Sequence, residues 1–140
     1  MREVLYRAIS MAKGEHWLYG QPRLYARNPH TEKWTMYDPI TRIETDIEPN
    51  TLGEYAQIDD FVSNPIFDGD ILKVQSLHPD TLGQECFCKV TYNRGCFWVE
   101  RLDNPVPKQP LTDTDVELMS NIVVVGNVFD NPDLLKGGEK

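Results

Sequence analysis

The sequence predicts a mainly β fold: a small C-terminal antiparallel β-barrel-like domain with an N-terminal β-meander and one or two short helices. Three observations carry that expectation. Ten prolines and nine glycines, spread through 140 residues, cut the chain into short segments. Most of those segments are rich in aromatic and β-branched side chains, which suit a pleated surface. Residues 85–92 alternate, with Cys86, Cys88, Val90 and Tyr92 on one face and Glu85, Phe87, Lys89 and Thr91 on the other. A chain of this length, 40% apolar, can build one self-sufficient core with a small appendage.

Residues 4–9 open the chain as a strand. Residues 16–19, 23–25 and 34–37 are short aromatic runs parted by turn-rich pieces such as Asn28-Pro29-His30-Thr31. The acidic, weakly patterned stretch 41–49 reads as a boundary. The expected organisation is a meander over 1–48, a barrel-like domain over 49–135 and a disordered tail over 136–140. Asp68-Gly69-Asp70 is a turn element leading into the apolar strand 71–74. Asn93-Arg94-Gly95 reads as a three-residue hairpin loop with Gly95 left-handed, which sets Tyr92 opposite Cys96 and Val90 opposite Trp98. Thr112-Asp113-Thr114-Asp115 resembles a capping box opening a short helix over 116–119. Residues 121–129 are apolar on both alternations, as in a strand covered on both sides, and Gly126 suits a bend at a barrel corner. Asn131-Pro132-Asp133 then supplies a cap, a proline and an acid for a last helical turn through Leu134 and Leu135.

The net charge of −8 disfavours nonspecific nucleic-acid binding, where Lys and Arg supply most of the affinity, and disfavours an anionic membrane surface. Solubility explains the acidity more simply than mimicry of nucleic acid or contact with a basic partner. No stretch reaches the ~20 apolar residues of a membrane-spanning helix. The start, Met1 to Arg7, lacks a signal peptide's apolar block, and an odd three cysteines suit a reducing compartment, so a cytoplasmic location is expected.

Three blocks carry a family resemblance. They are Arg2-Glu3-Val4-Leu5-Tyr6-Arg7-Ala8 followed by Trp17-Leu18-Tyr19-Gly20; Thr51-Leu52-Gly53-Glu54-Tyr55 followed by Ile66-Phe67-Asp68-Gly69-Asp70-Ile71-Leu72-Lys73; and Val124 to Leu135. In order and spacing the chain resembles the YopX family, small proteins of phages, prophages and related bacterial mobile elements. The family pattern Thr-Gly-Leu-x-Asp is replaced here by Ala56-Gln57-Ile58-Asp59-Asp60, and Val62-Ser63-Asn64-Pro65 stands for its Gly-rich turn. A different turn is therefore expected there. The resemblance implies a mainly β fold with a C-terminal barrel-like part, and no enzymatic activity or cofactor to carry over.

Several constellations compete for function. Asp59, Asp60, Asp68 and Asp70 offer carboxylates for a divalent ion, yet their spacing is not that of an EF-hand and turn-forming roles explain them better. Cys86 and Cys88, with Cys96 beyond, lack the second pair a structural zinc site needs and read as small apolar residues. His16, His30 and His78 with Ser10, Ser63, Ser76 or Ser120 show no nucleophile-elbow motif, and Gly137-Gly138 precedes no helix. No catalytic, metal or cofactor residue is therefore assigned. Lys73, Lys89, Arg94 and Arg101 cluster around the hairpin, the basis of an alternative reading as a nucleic-acid-associated barrel. A metal-dependent hydrolase at Asp68 and Asp70 comes third. The preferred reading starts from Trp17, Tyr19, Tyr25, Trp34 and Tyr37, a dense aromatic set proposed as a surface for a protein partner or a second copy. It makes the protein a non-catalytic accessory protein of a phage or prophage, working by protein–protein contact.

Overall fold

The computed structural model describes residues 4–12, 16–25, 33–75, 84–102, 109–111 and 122–136. The fold is mainly β, in two compact units, Met1–Tyr55 and Ala56–Lys140. No helix among the described residues is long and apolar enough to cross a membrane.

In the first unit β1 (Tyr6–Ile9), β2 (Trp17–Tyr25), β3 (Lys33–Asp38) and β4 (Ile43–Asp46) form an antiparallel meander in the order β4-β3-β2-β1. The start of β5 (Gly53–Asp59) lies beside β1, with Tyr6 opposite Glu54. The runs 16–19 and 23–25, expected as two strands, are one nine-residue strand. That strand changes partner midway: 17–20 pair with β1 and 21–25 with β3. Gly20 sits at the change, where a Cβ would lie 2.4 Å from the Tyr37 carbonyl oxygen. Pro22 is tolerated because it opposes Met36 in a position that demands no N–H. The Trp34 carbonyl, in the same phase of β3, accepts from Ile47 N–H instead of bonding to β2.

The acidic, weakly patterned stretch 41–49, expected as a boundary, holds β4. Its acids are partnered across strands: Glu44 accepts from the Thr35 hydroxyl (2.8 Å) and faces Arg23 (3.8 Å), and Asp46 faces Lys33 (3.3 Å). Asp38 organises the β3–β4 turn by accepting from Ile40 N–H, with Arg42 left-handed at φ 62°. Ala8, Met36 and Ile47 form the buried core, with Tyr6, Leu18, Trp34 and Leu52 packed against it. Buried Thr51 fastens the 3-10 turn Pro49–Thr51 to β1, accepting from Ile9 N–H and donating to the Glu48 carbonyl.

In the second unit the end of β5 neighbours β6 (Pro65–Phe67). A five-stranded antiparallel sheet runs β10-β9-β8-β7-β11, from β7 (Asp70–Gln75), β8 (Glu85–Asn93), β9 (Cys96–Arg101), β10 (Gln109–Pro110) and β11 (Val123–Asn127). This sheet is open, with β10 and β11 at its ends, so the expected barrel-like closure is corrected to an open sheet among the described residues. The alternation in β8 holds. Cys88 and Val90 are buried with Ala56, Ile66, Leu72, Val74, Leu111 and Ile122, while Cys86, Phe97 and Val99 pack against that core.

The hairpin register differs from the expected one by a residue. Asn93 pairs with Cys96, Tyr92 with Phe97 and Val90 with Val99, leaving a two-residue loop. Arg94 (φ 54°) and Gly95 (φ 77°) are both left-handed, as in a type I′ turn, whose twist matches that of the flanking strands. β11 ends at Asn127 rather than continuing through Phe129, and Val125 and Phe129 are exposed, because β11 is an end strand. Gly126 marks a bulge against β7, where a Cβ would lie 2.4 Å from Asn131 Oδ1. The last helical turn is present as the 3-10 segment Pro132–Lys136. The Asn28–Thr31 turn, the 112–119 helix and the tail beyond Lys136 lie outside the described residues.

Candidate functional site

Three of the four carboxylates that first suggest a metal site, Asp60, Asp68 and Asp70, bond to the backbone. Asp70, buried, accepts from Phe67 N–H (2.8 Å) across the β6–β7 turn, where Gly69 has φ 95°. Asp68 accepts from Tyr92 N–H, Gly69 N–H donates to the Val90 carbonyl, and the Gly69 carbonyl receives Val128 N–H. The turn is thereby tied to β8 and to the chain just past β11. Asp60, also buried, accepts from Val62 and Asn64 N–H with one oxygen and from Val124 N–H with the other. Such charge-assisted bonds to main-chain donors fix turns. Among the described residues no three His, Cys, Asp or Glu side chains gather where they could hold a metal ion.

Cys88 is buried in the core, Cys86 and Cys96 are half-buried, and none of the three forms a disulfide. Ser10 spends its hydroxyl oxygen on Ala12 N–H, and exposed His16 stands edge-on to Trp17 (centroids 5.7 Å apart). His30, His78, Ser76 and Ser120 lie outside the described residues. Of the basic set, Lys73 and Lys89 share a face of the second sheet but are each paired, with Glu85 (3.5 Å) and Glu100 (3.9 Å). Arg101 lies opposite Cys88 on the other face, and Arg94 is at the hairpin tip. Two of the four basic residues are thus engaged in ion pairs.

Strand register divides the aromatic set between the two faces of the meander. Residues opposite one another in the meander share a face. The register groups Arg7, Trp17, Tyr19, Gln21, Arg23, Thr35, Tyr37 and Glu44 on one side. Trp34 pairs with Leu24 and lies on the other side, packed on the Ala8–Met36–Ile47 core. It is therefore a core residue and leaves the proposed surface. Tyr25 falls on the surface side by register, though its side chain lies outside the described ones.

Two arginines that the sequence reading passed over organise this face. The Arg7 guanidinium lies 4.5 Å from the centre of the Trp17 ring, and that of Arg23 lies 4.2 Å from Tyr37. Both are diagonal neighbours of their rings, a relation readable only once the β1–β2 and β2–β3 registers are known. Arg7 is buried, whereas Tyr19 is 50% exposed. Cation–π contacts are worth roughly 0.5–1 kcal/mol at exposed sites, and surface ion pairs about 0–1 kcal/mol. Such contacts favour one orientation of each ring. Aromatic rings and arginines held side by side suit recognition.

The sequence matches the family described as YopX protein over residues 5–136. The chain belongs to the YopX family. A comparison with curated proteins returned no match. Among solved structures the chain is similar to the crystal structure of protein EF1440 from Enterococcus faecalis, at 17% identity and a TM-score of 0.57. The match covers 96% of this chain and 99% of that one, so the likeness extends over the whole fold.

Proposed function

We propose that this protein is an accessory protein of a phage, prophage or related mobile element, working in the cytoplasm by protein–protein contact and without catalysis. The contact surface is the aromatic–arginine face of the meander, centred on Trp17, Tyr19 and Tyr37. The observation that carries the reading is the pair of stacked arginines, Arg7 over Trp17 and Arg23 over Tyr37, beside half-exposed Tyr19. Ordered aromatic and arginine side chains are the residues enriched where protein interfaces concentrate their energy, because little side-chain entropy is lost on binding. The resemblance to a family of phage and prophage proteins supports the mobile-element setting.

The test is capture from host lysate after nuclease treatment, comparing the wild-type chain with Tyr19→Ala and Trp17→Ala. A stoichiometric protein, or a second copy of the chain, retained by wild type and lost by at least tenfold in the variants is the expected result. A partner retained equally by all three removes this face from the account. Partners lost on nuclease treatment in every case indicate nucleic acid instead.

A further inference from the structure

The last strand of the second sheet carries an uncharged, β-prone window, Ile122-Val123-Val124-Val125-Gly126, at the end position where an edge is open to pairing. Apolar windows of this kind, free of proline and charge, pair readily with identical copies unless something covers them. Here the cover is the loop between β5 and β6. Val124 directs its N–H away from β7 and onto Asp60 Oδ2 (2.9 Å), and the Ile122 carbonyl receives Phe61 N–H (2.9 Å). One main-chain group at each of 122 and 124 that a further strand would use is thus taken by this loop.

The hold depends on one side chain. Asp60 is 5% exposed and also gathers the loop on itself, accepting from Val62 N–H (3.0 Å) and Asn64 N–H (2.8 Å). Ser63 within the loop sits at φ 70°, a conformation that costs a non-glycine residue free energy. Phe61 and Val62 are each 56% exposed, so apolar burial contributes little to closing the loop. We propose that the Asp60 loop is an edge guard, which keeps residues 122–126 from pairing with the same segment of a second copy of this chain. The inference stands apart from the aromatic face of the first unit.

The experiment uses the full chain and two substitutions. Asp60→Asn keeps the shape but turns an amide toward Val124 N–H, and it should lower protection of the Val124, Val62 and Asn64 amides by at least ~tenfold in hydrogen exchange. Light scattering across a concentration series should then show self-association of Asp60→Asn that is absent or weaker in wild type. Adding Val124→Pro, which removes an N–H that β7 does not use, should abolish it. A folded Asp60→Asn chain with exposed edge amides that stays one species at every concentration overturns the proposal, as does self-association indifferent to Val124→Pro. If Asp60→Asn does not fold, exchange in the wild-type chain decides. Val124, Val62 and Asn64 opening together ahead of the β7–β8 ladder supports a loop that opens as a unit, and their exchange only with global unfolding overturns it.

Discussion

Replacing Gly126 by alanine places a methyl group 2.4 Å from Asn131 Oδ1 and 2.8 Å from its Cγ, so the Asn131 side chain has to move. That side chain accepts Asn127 N–H (3.2 Å), while Asn127, itself buried, accepts Phe129 and Asp130 N–H with its own Oδ1. Overpacking costs roughly 1–3 kcal/mol, and stranding a buried donor costs a similar amount. We therefore expect Gly126→Ala to destabilise the second unit by about 2–4 kcal/mol. With Asn131→Ala in place the two closest atoms are gone and the Asn131 Cβ stays at 3.3 Å, and the glycine substitution should then cost less than ~1 kcal/mol. The assay is a double-mutant cycle in urea, followed at the β7 and β11 amides. With a slope of ~2 kcal/mol per molar, the single substitution should shift the midpoint by ~1–2 M. Strict additivity of the two substitutions would refute this account of the bulge, since residues in contact must couple.

Other expectations follow from the same geometry. Trp34→Ala should cost about 2–3 kcal/mol of stability in the first unit and Tyr19→Ala less than ~1 kcal/mol, measured by denaturant unfolding; equal costs would contradict the assignment of the two rings to opposite faces. Gln57 takes φ 66° within β5, where the family pattern has glycine, so Gln57→Gly should raise stability by ~0.5–1 kcal/mol. Arg94→Asn should be neutral or stabilising because it completes an Asn-Gly type I′ turn, and a loss above ~1 kcal/mol in thermal unfolding would count against that turn type.

What the sequence disclosed and what it hid divide along physical lines. The mainly β class, the Asp68-Gly69-Asp70 turn and the inward face of β8 were readable because period and turn chemistry are local. The hairpin register was missed by one residue because arginine gives no sign that it will adopt φ 54°. The break expected between residues 19 and 23 vanished because β2 exchanges one partner strand for another at Gly20, and Pro22 then opposes a carbonyl-bearing neighbour that needs no donor from it. β4 was hidden by its acids, whose cationic partners lie on β2 and β3. The candidate surface was half legible. A run of aromatics can be counted in a sequence, but only strand register separates Trp34, turned to the core, from Trp17, Tyr19 and Tyr37 with their stacked arginines.

The central claim, that the aromatic–arginine face of the meander meets a protein partner, is tested most directly by hydroxyl-radical footprinting of the chain alone and with its captured partner. Oxidation of Trp17, Tyr19 and Tyr37 should fall at least severalfold in the complex, while Tyr92 and Trp98 of the second unit stay as reactive as in the free chain. Undiminished oxidation of Tyr19, with protection at Tyr92 and Trp98, would contradict the account and move the interface to the second unit.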